Sequence, residues 1–133
     1  MKILIMIVLT CLATAGASVN ISQNSYNAVK LRIESIINQH GYEIRELSSY
    51  NSDIYIDERR IAFRYNPRNL DEWHFVMQNN SGSWSSKLGM EGSSGQYDIN
   101  ITPEDECMWN MYNGLIGHNT YYFAIKYNSV MVV

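Results

Sequence analysis

The most regular hydrophobic pattern in the chain lies between Asn24 and Gln39. Val29, Ile33, Ile36 and Ile37 recur at i, i+4, i+7 and i+8, which places them on one face of an α-helix. Ser22 or Asn24 can cap its start and His40-Gly41 its end. From Tyr42 to Leu47 the period drops to two and predicts a strand. Ile54-Tyr55-Ile56 and Arg60 to Tyr65 read as two further strands with Asp57-Glu58 as the turn between them. Asn66-Pro67-Arg68-Asn69 breaks the second. Residues 73–78 and 84–88 form a predicted antiparallel hairpin around the polar turn Asn79 to Ser83. Glu91 to Gly95 has loop composition. Thr102-Pro103-Glu104-Asp105 is a helix start, with Met108, Met111, Tyr112 and Leu115 as the apolar stripe and Asn113-Gly114 or Gly117 as the stop. Tyr121 to Tyr127 is a last strand. The expectation is an α+β domain: an N-terminal helix packed on a mostly antiparallel sheet that includes the Phe63 and Phe75 strands, plus a short C-terminal helix.

The first seventeen residues follow a different pattern. Lys2 precedes an apolar run from Ile3 to Leu12, and Ala15-Gly16-Ala17 supplies small residues before Ser18. This is the layout of a secretory signal peptide. The run falls short of the roughly 20 apolar residues that span a bilayer. Thr10 stands where a lipoprotein signal would have a small residue before Cys11. The reading is a signal peptide over 1–17, a single small domain over 18–133, a secreted product and no stable membrane anchor.

Charge narrows the function classes. Without Lys2 the domain carries nine basic and thirteen acidic residues, a balance of −4. Beyond Arg59-Arg60 there is no basic cluster to follow a phosphate backbone, which argues against nucleic acid as a partner. Once Cys11 is removed, Cys107 has no intramolecular disulfide partner, and it reads as a small buried residue of the C-terminal helix. Its spacing to His40, His74 and His118 is not that of a metal site, and there is no phosphate loop or HExxH motif, so no cofactor is expected. Trp73, Trp84 and Trp109 read as core. Asn20, Asn79 and Asn100 open glycosylation sequons that matter only in a eukaryotic source.

The chemistry-bearing segment is Trp73-His74-Phe75, a polar turn containing Gly82, then Trp84-Ser85-Ser86-Lys87-Leu88-Gly89. Over residues 60–89 the chain resembles an uncharacterised, largely bacterial family with a W/Y-H-F/W strand, a polar turn with Gly, and W-S-x-K-x-G. In that family an Asn-Cys-Tyr begins the first helix, a layout similar to papain-like amidases and peptidases. The matching place here is Asn24-Ser25-Tyr26, so Ser25 stands where the resemblance implies a nucleophilic Cys. A Cys at a helix start is activated as thiolate, and a nearby His pairs with it and passes the proton on. Serine has a far higher pKa and needs a stronger base and an oxyanion hole. Ser86 can hydrogen-bond an imidazole, and the turn length puts Lys87 or its neighbours opposite His74. The candidate site is Ser25, His74, Ser86 and Lys87. Each has an ordinary structural reading too: a helix-end serine, a half-buried strand histidine, and polar strand residues.

Two functions follow as expectations. The first is a secreted protein of papain-like fold, without the nucleophilic Cys, that acts on a protein or peptidic ligand as a binding protein, effector or pseudoenzyme. The second is a secreted hydrolase of amide or ester bonds using Ser25 and His74.

Overall fold

A computed structural model describes residues 26–87, 94–96, 101–110 and 113–127, with the side chains of 86, 87, 94–96, 113 and 127 left aside. Helix α1 spans Tyr26–Gln39. Its predicted stripe is its buried face: Val29, Ile33, Ile36 and Ile37 are all buried. The helix ends as expected. Gly41 takes φ 84° and donates to the Asn38 carbonyl at 3.0 Å, the left-handed stop that glycine reaches without a Cβ clash.

Strands β1 (Tyr42–Leu47), β2 (Arg59–Asn66), β3 (Asn69–Gln78), β4 (Trp84–Lys87), β5 (Ser94–Gln96) and β6 (Tyr121–Tyr127) form one sheet in the order β1-β6-β2-β3-β4-β5. All the pairings are antiparallel. The hairpin of β3 and β4 pairs as the pattern predicted: Gln78 with Trp84, Met77 with Ser85, Val76 with Ser86. Its turn closes through Asn79 N–H to the Ser83 carbonyl at 2.7 Å and Gly82 N–H to the Asn79 carbonyl at 3.0 Å, with Gly82 at φ 91°.

Both faces of the sheet are covered. On one, α1 packs its four aliphatic residues on Ile61, Phe63, Tyr65, Phe75, Met77, Phe123 and Ile125. Full burial of each such side chain stabilises by about 1.5–3 kcal/mol, so this layer is a large source of cohesion. Phe63 and Phe75 are cross-strand partners with ring centroids 4.5 Å apart. On the other face Ala62, Val76, Trp84, Tyr122 and Ala124 pack beneath Met108, Trp109 and Leu115 from the segment before β6, and Tyr50 and Ile54 join from the loop before β2. The central strands are therefore buried on both sides.

Three expectations are corrected. The C-terminal helix is absent among the described residues; in its place are two 3-10 turns, Glu106–Trp109 and Asn113–Leu115. Thr102-Pro103 does not start a helix. Asp105 caps the first turn instead, accepting from the Cys107 N–H, and a single such turn delivers Met108 and Trp109 to the sheet. Met111 and Tyr112 of the predicted stripe lie outside the described residues. Ile54-Tyr55-Ile56 is not a strand but part of the loop from β1 to β2. Ile54 turns inward, while Tyr55 and Ile56 are 70% and 99% exposed. Cys107 is exposed rather than buried, because the short turn points Met108 and Trp109 inward and leaves Cys107 outside.

Candidate functional site

His74 sits in the middle of β3, directly opposite Arg64 of β2. Strand alternation sends Phe75 to the helix side of the sheet and His74 to the other. There His74 is 3% exposed, with its ring edge-on to Trp109 at 6.3 Å between centroids. Burial drives its pKa down to about 3, so the imidazole is neutral at physiological pH.

Arg64 is equally buried and organises this layer. Its Nη1 and Nη2 donate to the two Glu106 oxygens at 2.8 and 2.6 Å, and its Nε donates to Thr120 Oγ1 at 2.7 Å. Nη1 also reaches the Leu115 carbonyl at 3.0 Å. The guanidinium lies 4.8 Å from the centre of the Trp109 ring. The Arg64 hydrogen bonds hold the Glu106 carboxyl down to about 2. Arg60, two pleats away on the same face, does the same for the other covering segment. Its Nε and Nη2 donate to the Ser52 carbonyl at 3.0 and 2.7 Å, and its Nη1 donates to Gln78 Oε1 at 2.9 Å.

These contacts locate the predicted site residues. Ser25 lies outside the described residues. The helix begins with Tyr26, which stacks on Tyr121 at 3.8 Å between centroids and packs in the α1 layer. His74 faces the opposite layer. The backbone of Ser86 stands opposite Val76, two residues along from His74, and that of Lys87 pairs with Ser94. The side chains of both lie outside the described set. The structure thus brings His74 together with Arg64, Trp109 and the Glu106 turn.

A second group of charged side chains gathers at a surface cleft around the buried Glu58. A cleft of about 370 Å³ opens between the end of α1, β1, β6 and the loop before β2. Arg45 Nε and Nη2 each donate to Glu58 at 2.8 Å, and the Tyr55 N–H donates to the same carboxylate at 2.8 Å. The bond to Arg45 keeps the Glu58 carboxyl below its usual range. Lys126 bonds Glu43 at 3.1 Å, which raises the ammonium pKa. Tyr55 forms the lip, with the Arg45 guanidinium 5.4 Å from its ring centre. Sequence reasoning missed this cleft because its charges come from three separate segments and read singly as solvated positions. It also missed Arg60 and Arg64, which alternate with apolar neighbours as a solvent face would. The available signal was the surplus of Trp84, Met108 and Trp109, more apolar bulk than a single helix-on-sheet layer can bury.

Among the described residues no group of three or more His, Cys, Asp or Glu could hold a metal ion, and no helix is long and apolar enough to cross a membrane. The chain matches no protein-family model, no curated protein and no solved structure.

Proposed function

We propose that the chain is a small secreted binding domain that works without catalysis on a protein or peptidic ligand. The observation that carries this reading is the place of His74, which is buried and neutral in the layer away from α1. A general base must reach the proton it takes, and a nucleophile at the start of α1 would have the sheet between it and this imidazole. The order of helix before sheet and the W-H-F hairpin are compatible with a papain-like scaffold. The catalytic use of such a scaffold needs the helix start and the imidazole on one side. The exposed Tyr55-Ile56 tip beside the cleft is the surface proposed for ligand contact, since it sets two large, exposed side chains next to one another at the edge of a charged cleft.

The test is an assay of wild type, Ser25→Ala, Ser25→Cys and His74→Ala against peptide, amide and ester panels. The expected result is no turnover in any of them. Wild-type turnover lost in both alanine variants would establish the hydrolase reading with Ser25 and His74 instead. Turnover confined to Ser25→Cys would reveal a pseudoenzyme on a competent scaffold and would refute the placement of His74 argued above.

A further inference from the structure

The buried pair of Arg64 and His74 has a use beyond stability. Both lie against Trp109, and Trp109 belongs to the segment fastened to the sheet by Arg64 through Glu106, Leu115 and Thr120. We propose that the described residues 103–110 and 113–120 form an acid-sensitive strap: protonation of His74 loosens them from the sheet while α1 stays packed on the opposite face. Burial sets the sign, because it disfavours the charged ring. Across from it on β2 is the Arg64 cation. Two residues back on β3 is Glu72, whose carboxylate accepts from the side-chain amides of Asn66 and Asn69 at 3.1 Å each. On the strap is Glu106, already bonded to Arg64 and to the Gly117 N–H at 2.7 Å. On β6, Tyr122 lies in the same layer. A proton on His74 therefore adds a second cation opposite the first, in a layer closed to water. Lifting the strap is the local motion that lets this imidazolium hydrate, since Trp109 covers it. Glu106 is not the trigger. Arg64 holds its carboxyl near 2, so that half of the latch stays charged throughout mildly acid conditions.

Hydrogen exchange on the full secreted chain at pH 7 and pH 5, corrected for intrinsic rates, tests the proposal. An imidazole that titrates at its ordinary 6.5 when open and near 3 when closed makes the opening constant rise roughly 25-fold between these pH values. The expected result is that loss in the amides of 104–110 and 113–120, with α1 and β6 retaining distinctly higher protection, and no pH response in His74→Gln. Strap amides as strongly protected as those of helix and sheet at both pH values would mean that all three open only by global unfolding and would overturn the strap. So would a pH response that survives in His74→Gln. Should that variant not fold, the His74 ring signal of the wild type decides by NMR. A closed-state imidazole that titrates near its ordinary value refutes the proposal, and one that stays neutral to pH 4 while the strap amides exchange ahead of those of α1 and β6 upholds it.

Discussion

Arg64 grips Glu106 through two parallel hydrogen bonds, and the two ends of this pair live in different media: the arginine side chain is 3% exposed and the glutamate 47%. Removing the exposed partner leaves a buried guanidinium uncompensated, whereas removing the arginine leaves a carboxylate that water can solvate. Glu106→Ala should therefore destabilise by about 1–3 kcal/mol, under the figure for a fully buried pair because solvent already screens one end. Arg64→Met with Glu106→Ala should lose less than the two single changes added together. Denaturant midpoints of the two single variants and the double variant measure this coupling.

His74 also gives a global pH dependence. Its folded pKa of about 3 lies below its ordinary 6.5, so between these values the unfolded chain binds the extra proton. The stabilisation is complete above pH 6.5 and is lost as pH falls toward 3. From pH 7 to pH 5 the loss is about 2 kcal/mol. Urea unfolding at the two pH values should show it in wild type, and His74→Gln should flatten the curve.

The helix separates buried from exposed leucine-like side chains within two turns. Ile37 has no exposure, while Leu31 is 66% exposed. Ile37→Ala should cost about 2–5 kcal/mol by leaving a cavity against the sheet. Leu31→Ala should stay within about 0.5 kcal/mol. Thermal unfolding of both variants checks the orientation of α1.

Legibility in the sequence followed the kind of force involved. The α1 stripe, the Gly41 stop and the hairpin around Gly82 depend on neighbours in sequence, and the pattern of hydrophobic positions is enough to place them. The second covering layer depends on contacts between distant segments. Arg64 meets Glu106 and Thr120 across more than forty positions, and nothing local distinguishes it from a solvated arginine. The helix start at Thr102-Pro103 was locally sound, yet Trp109 and Met108 reach the sheet from a single 3-10 turn, so packing overrode propensity. His74 was legible as a strand residue; the face it serves was set by Phe75 belonging under α1.

Cys107 offers a chemical probe of its turn. It is exposed, and the neighbouring Asp105 raises its thiol pKa above the ordinary value through a hydrogen bond and through charge. A thiol is the poor nucleophile and a thiolate the good one. The wild-type chain should thus alkylate more slowly at pH 7.5 than an unstructured cysteine peptide. Asp105→Asn should raise the rate several-fold. Mass-spectrometric timing of iodoacetamide labelling reads it directly, and equal rates would refute the link.

Arg60 lets the ligand surface be tested without touching it. Its guanidinium ties the Ser52 carbonyl and Gln78 to β2, and Ser52 belongs to the loop that carries Tyr55 and Ile56. Arg60→Met keeps much of the side-chain bulk but drops these bonds. It should destabilise by about 1–3 kcal/mol and leave the Tyr55-Ile56 rim less ordered. Ile56 is almost wholly in solvent, so Ile56→Ser should leave stability within about 0.5 kcal/mol. The two variants should nonetheless weaken the same binding event, one by disordering the rim and the other by removing its apolar tip. Panning of an unbiased peptide library on the wild-type chain supplies the probe, and isothermal titration of the selected peptide against the three proteins supplies the comparison. A selected peptide whose affinity is unchanged in both variants would place recognition away from this cleft.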